Sequence, residues 1–154
     1  MRSDLTWNSI WGKGDPITVE AFERKTGYKL PIAYKTIVSN YEGASPDPNK
    51  FKFYSNLEND EVIYDVGIFL PYSSNPEREP TMEEVWKTPP EGFPQGLLAF
   101  SVFGNGDLIC FDYRKDPKTD DPPIVVWHHE GGWGTEKQVS FVANNFKDFL
   151  DMLY

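Results

Sequence analysis

The sequence predicts a single α+β domain over residues 1–154, with a mainly antiparallel sheet, two N-terminal helices and one C-terminal helix. Three observations carry this expectation. Helical spacing of apolar residues is strongest near the two ends of the chain. The middle consists of short aromatic and β-branched runs separated by turn residues. No regular alternation of strand and helix, the pattern of a parallel sheet, connects them. A length of 154 residues suits one domain. Such a chain buries roughly 68–70% of its unfolded surface and needs no disulfide or metal staple. The 11 Phe, 8 Tyr and 5 Trp supply ample core material.

The first helix is expected over 17–27, ITVEAFERKTG. Thr18 is a candidate N-cap with Ile17 and Phe22 at the staple positions, and Gly27 suits a left-handed C-cap. Asp15 followed by Pro16 is a competing start, because proline is favoured at the first helical position. A second helix opens at Pro31. Tyr34, Ile37, Val38 and Tyr41 fall on one helical face, and Gly43 with the SPDPN cluster at 45–49 stops it. Both helices are expected to precede any strand. Strands follow at 51–54 (FKFY) and 61–70 (EVIYDVGIFL). Residues 71–96 form a long proline-rich connection, with one helical turn at TMEEVW, 81–86. A connection of that length in a compact domain is usually either functional or disordered.

GLLAFSVF (96–103), Gly104-Asn105-Gly106 and DLICFDYR (107–114) read as a β-hairpin. Strand alternation puts Leu108, Cys110 and Asp112 on one face and Ile109, Phe111 and Tyr113 on the other. PPIVVWHHE at 122–130 is a further strand. Phe146, Phe149, Leu150 and Leu153 again show helical spacing, with Asn144 or Asn145 as N-cap.

Fifteen basic against 24 acidic residues give a net charge of −9. The acidity is uneven: residues 1–60 are neutral, residues 61–100 carry −5 and residues 101–154 carry −4. Phosphate backbones require Lys and Arg, so direct nucleic-acid binding is not expected, whereas a basic protein is attracted. The single cysteine, Cys110, forms no internal disulfide, which fits a reducing cytoplasm. The N-terminal residues MRSDLTWNSIWGKGDP lack the apolar stretch of a secretory signal, and no segment approaches the length of a membrane span.

Residues with catalytic potential are few. His128 and His129 are adjacent, so a strand would send them to opposite faces, one packed and one solvated. They lack the i, i+4 spacing of a helical zinc site. Cys110 sits mid-strand between Ile109 and Phe111, the setting of an inert buried thiol. GNGD at 104–107 lacks the GK[ST] and following helix of a phosphate loop. Asp107 and Asp112, five apart, would face opposite sides of one strand rather than pair. Trp127 reads as core, and Trp86 and Trp133 as surface aromatics in Pro- or Gly-rich stretches. No catalytic residue, metal or cofactor is expected.

FERKTGYKLPIAYKTIVSNYEGA, GLLAFSVFGNGDLICFDYR, PPIVVWHHE and VANNFKDFLDML occur in this order and together resemble the SUKH superfamily over residues 17–153. That family includes fungal cell-wall-assembly regulators and many bacterial immunity proteins. The sequence departs from its common Asn-Gly-Gly turn after the second helix, having Asn40-Tyr41-Glu42-Gly43-Ala44. The resemblance implies a SUKH-like fold and a cytoplasmic, non-enzymatic immunity protein. Its expected partner is a cognate toxin with a basic, nuclease-like C-terminal domain. The candidate contact face is Glu58, Asp60, Glu61, Glu83, Glu84, Trp86 and Trp133, drawn from loops and strand ends flanking the acidic half. The alternative is a regulatory or scaffold module of cell-wall assembly that binds peptide or glycan through Trp and Tyr.

Overall fold

A computed structural model describes residues 2–73 and 80–154. Strand β1 (Thr6–Ser9) comes first, followed by helices α1 (Pro16–Thr26) and α2 (Ile32–Asn40). The chain continues through β2 (Ala44–Asp47), β3 (Lys50–Ser55) and β4 (Asp60–Asp65). After α3 (Met82–Lys87) come β5 (Leu97–Val102), β6 (Leu108–Asp112), β7 (Ile124–Trp127), β8 (Val139–Ala143) and α4 (Phe146–Met152). The architecture is α+β, and every strand pair is antiparallel. β5-β6-β7-β8 form a four-stranded sheet, while β1-β2 and β3-β4 are two-stranded.

Asp15, not Thr18, caps α1: its carboxylate accepts the Ile17 N–H at 2.9 Å with Pro16 at the first position. Thr18 instead donates its hydroxyl to the Asp15 carbonyl, and Ile17 is exposed rather than stapled. Gly27 ends the helix at φ 78°, its N–H returning to the Glu23 carbonyl. α2 buries Tyr34, Ile37 and Val38, as its spacing predicts. Asn145 caps α4, accepting the Asp148 N–H at 2.8 Å.

Three strands escape the sequence pattern. β1 (TWNS) is only four residues long and β2 (ASPD) is made of residues depleted in strands, yet they pair because the chain after α2 folds back along the N-terminal residues. A strand therefore precedes the helices. β8 is the third, assembled against β7. β4 ends at Asp65 rather than Leu70; beyond it Phe69 bridges singly to Ser101. Within the 71–96 connection, Pro76 and its neighbours at 74–79 lie outside the described residues. Its helical turn is α3, capped by the Thr81 hydroxyl, which accepts the Glu84 N–H.

The main core lies between the helices and one face of the four-stranded sheet, where Ile109, Phe111 and Tyr113 point. Tyr34 sits at its centre, with its ring edge against Phe100, Phe111 and Phe146. The opposite face is buried too. Leu97, Ala99, Leu108, Cys110, Val125 and Trp127 form a second cluster under Val85 of α3 and Phe93. β5, β6 and β7 thus read as continuous apolar runs because both of their faces are covered.

Candidate protein-docking site

The β3–β4 hairpin lies beside β8 and over the loops at one end of the four-stranded sheet. Its inner face presents Phe51, Phe53 and Tyr64, because alternation sends these residues inward and Lys52 and Tyr54 outward. The turn after β3 is tied down by Asn56. Its backbone N–H donates to the Ser140 hydroxyl at 2.8 Å, and its side chain donates to the Val139 carbonyl at 2.7 Å.

Beneath the hairpin, one carboxylate gathers three elements. Asp107, 1% exposed, accepts the Tyr64 hydroxyl at 2.6 Å and His128 Nδ1–H at 2.8 Å on one oxygen. Its other oxygen accepts the His129 backbone N–H at 3.1 Å and His129 Nδ1–H at 2.7 Å. An ionised carboxylate only accepts, which assigns the Nδ1 protons. His128 Nε2 shares a hydrogen bond with the Ser140 hydroxyl at 2.7 Å. Burial alone would raise the Asp107 carboxyl, but hydrogen bonds from His128, Tyr64 and His129 outweigh it and hold the group well below the usual carboxylate range. The Tyr64 phenol is pushed up by burial and by donating to Asp107.

The expected opposition of the two histidines does not occur. β7 stops at Trp127, and the chain turns so that both imidazoles reach the same Asp107. Asp107 likewise lies just before β6, so strand alternation does not govern its separation from Asp112, which pairs with Arg114 at 2.9 Å. Ser140, His128 and Asp107 reproduce the order of groups in a hydrolase triad. Ser140 and His128 are both fully buried, however, and the Ser140 oxygen already accepts the Asn56 N–H. The network joins turns of the scaffold beneath an exposed surface. Among the described residues, no cluster of His, Cys, Asp and Glu is arranged to hold a metal ion, and no helix is long and apolar enough to cross a membrane.

The expected contact residues fall into separate places. Glu58, Asp60 and Glu61 are exposed at the tip of the β3–β4 hairpin, and no cation pairs with them among the described residues. Glu83, Glu84 and Trp86 lie on α3, whose Val85 packs against the cluster holding Leu97 and Ala99 of β5. β5 and β8 are opposite edges of a four-stranded sheet, about 14 Å apart at ~4.8 Å per strand. Glu83 is already paired with Lys25 and Lys87, and Glu84 accepts the Thr81 hydroxyl at 3.3 Å. Trp86 sits on a helix, half-buried with its ring edge against Phe22. Trp133 is 62% exposed on the β7–β8 loop, its indole lying over Gly92. Among the described residues the three hairpin carboxylates thus have no cation partner, whereas on α3 Glu83 is neutralised and Glu84 is held by a hydroxyl alone.

Tyr64 and Ser140 were not singled out from the sequence, and Asp107 was considered only as a partner of Asp112. The alternation of Val139, Ser140, Phe141 and Val142, with exposure at Phe141, marks Ser140 as inward-facing. Nothing local, however, tells that its partner is His128.

A comparison with curated proteins finds none that matches. The family model for the SMI1 / KNR4 family (SUKH-1) matches residues 14–152, nearly the span over which the sequence resembles the SUKH superfamily. The chain belongs to the SMI1 / KNR4 family (SUKH-1).

Proposed function

We propose that this chain is a non-enzymatic immunity protein that binds a basic toxin domain in the cytoplasm and covers its catalytic cleft. The observation carrying this reading is the hairpin tip. Among the described residues, three carboxylates, Glu58, Asp60 and Glu61, stand exposed without cation partners on a turn braced from below. A nuclease must grip phosphate, so its cleft concentrates positive charge. Unpaired carboxylates attract that cleft, speed encounter and then occupy the place of phosphate. Bracing through Asn56, Ser140, His128 and Asp107 keeps the tip in one conformation, which reduces the ordering cost of binding. Trp133, exposed on a nearby loop, supplies an apolar anchor of the kind enriched in interface hot spots.

The test begins with capture of partners from the native host by the tagged protein at low and moderate salt. The reading requires a stoichiometric basic partner with a nuclease-like C-terminal domain. With that partner purified, reversal of Glu58, Asp60 and Glu61 to Lys is expected to slow association at least tenfold and flatten its salt dependence. Reversal of Glu83 and Glu84 is expected to change little, because the first is already paired. Equal effects from both sets would reject the hairpin tip as the contact. Capture of cell-wall synthesis proteins or glycan, insensitive to salt, would favour a scaffold module using Trp133.

A further inference from the structure

The outer face of the β3–β4 hairpin is not used by the core or by the Asp107 network, and it shares only Glu61 with the acidic tip. It carries Lys50, Lys52 and Tyr54 from β3 and Glu61, Ile63 and Asp65 from β4. Tyr54 and Ile63 are 51% and 52% exposed. Phe141, on neighbouring β8, is also largely exposed. Three large apolar side chains thus stand in solvent on adjacent strands, although the protein has ample core to hold such residues.

Register shows what fits this face. Across the hairpin Lys50 stands opposite Asp65, Lys52 opposite Ile63, and Tyr54 opposite Glu61. Lys50 and Asp65 approach within 3.9 Å. Two cross-strand pairs are complementary, a cation with an anion and a long aliphatic stem with an apolar side chain; in the third, Tyr54 stands opposite Glu61 and donates its hydroxyl to Asn59 Oδ1 at 2.6 Å. A two-fold axis running along the hairpin between its strands sets every β3 residue over the β4 residue of its own pair on a second copy. A hairpin face whose cross-strand pairs are complementary is therefore complementary to itself, the requirement for an isologous contact.

We infer that the outer face of β3 and β4 is the self-association surface of this chain, joining two copies about that axis. The charge pattern selects a second copy over other occupants. Lys50 and Lys52 repel a basic partner, Glu61 and Asp65 repel a polyanion, and only a surface of the same alternating pattern satisfies both. Phe141 then lies beside the open edge of the second copy's β4. Six side chains and a flanking ring cover less than the ~800 Å² per partner of a standard interface. A net charge of −9 on each copy adds long-range repulsion. The dimer is accordingly weak and concentration-dependent. Because the axis parallels the strands, both acidic tips emerge at the same end of the dimer.

Sedimentation equilibrium of the full chain at about 0.15 M salt, where the Debye length is ~8 Å, suppresses the long-range repulsion while leaving contact pairs. The expected result is a monomer–dimer equilibrium with a dissociation constant in the micromolar to ~1 mM range. Ile63→Lys is expected to abolish it. Lys50→Asp is expected to weaken it about tenfold or more, since symmetry removes two ion pairs at once. Adding Asp65→Lys to Lys50→Asp is expected to restore it, because the exchanged charges remain self-complementary. Circular dichroism melting of each variant verifies the fold, and the charge-swap pair stands on its own if Ile63→Lys melts early. A monomer at every concentration up to ~1 mM overturns the inference, as does a ladder of higher oligomers, or association unchanged by Lys50→Asp and by Ile63→Lys.

Discussion

Replacing Asp107 with Asn removes a charge while keeping nearly the same shape, so its effect isolates the buried network. The carboxylate accepts four donors, two on each oxygen. An amide keeps one oxygen and turns an NH2 toward the other pair of donors. Either Tyr64 and His128 or the two donors of His129 then face another donor inside the protein. Hydrogen bonds to a charged acceptor contribute ~1.5–3 kcal/mol each and are not additive within a network. Two opposed contacts therefore predict a loss of about 3 kcal/mol, or a fall in Tm of roughly 6–12 °C for a chain of this size. Urea unfolding reads it as a lower midpoint at unchanged m. The pH dependence carries a sign. The folded carboxyl titrates well below its unfolded value near 3.9, so the unfolded chain binds the extra proton. This stabilisation is complete above pH ~5 and drains away as pH falls through about 4 and below. Asp107→Asn has none to lose, so the difference between the two proteins must narrow in acid. A difference that stays constant from pH 7 to pH ~3, or one below about 1 kcal/mol at neutral pH, refutes an ionic keystone at this position.

Gly92→Ala puts a β-carbon into the Trp133 indole at a backbone φ of 81°, so it must displace that ring. A loss of about 1–2 kcal/mol, accompanied by a shift in tryptophan emission, is expected. The same substitution with unchanged emission would mean that Trp133 does not rest on Gly92. Asn145→Ala removes the acceptor of the Asp148 N–H and is expected to cost about 1 kcal/mol in urea unfolding. Cys110 is fully buried, and burial pushes its thiol well above the ordinary value. A thiol reagent at pH 8 is expected to label it only at the rate of global unfolding, and labelling that is fast in native buffer contradicts that placement.

Long-period patterns were readable where burial and local chemistry agree. The i, i+3, i+4 spacing of Tyr34, Ile37 and Val38 gives α2, and the two faces of β6 divide between the two core clusters as alternation predicts. Asn145 and Gly27 cap their helices because capping depends on residues within a few positions. The competition at α1 went to Asp15 and Pro16, a stronger pairing than Thr18 because Pro16 gives up an N–H that the helix start cannot satisfy.

Charge sign and fold class were thus determined by the sequence itself, since each depends on composition or short-range periodicity, and the family was legible in four motifs that occur in order. Tertiary structure alone decided the rest. β1 and β2 form because distant segments meet, not because TWNS or ASPD favours a strand. His128 and His129 converge on Asp107 because β7 ends one residue before them. Glu83 is neutralised by Lys25, 58 residues away, whereas Glu58, Asp60 and Glu61 find no cation among the described residues. The sequence counts these carboxylates alike. Which of them remain free to attract a partner depends on Coulomb interactions over a few ångströms, and those distances exist only once the chain has folded.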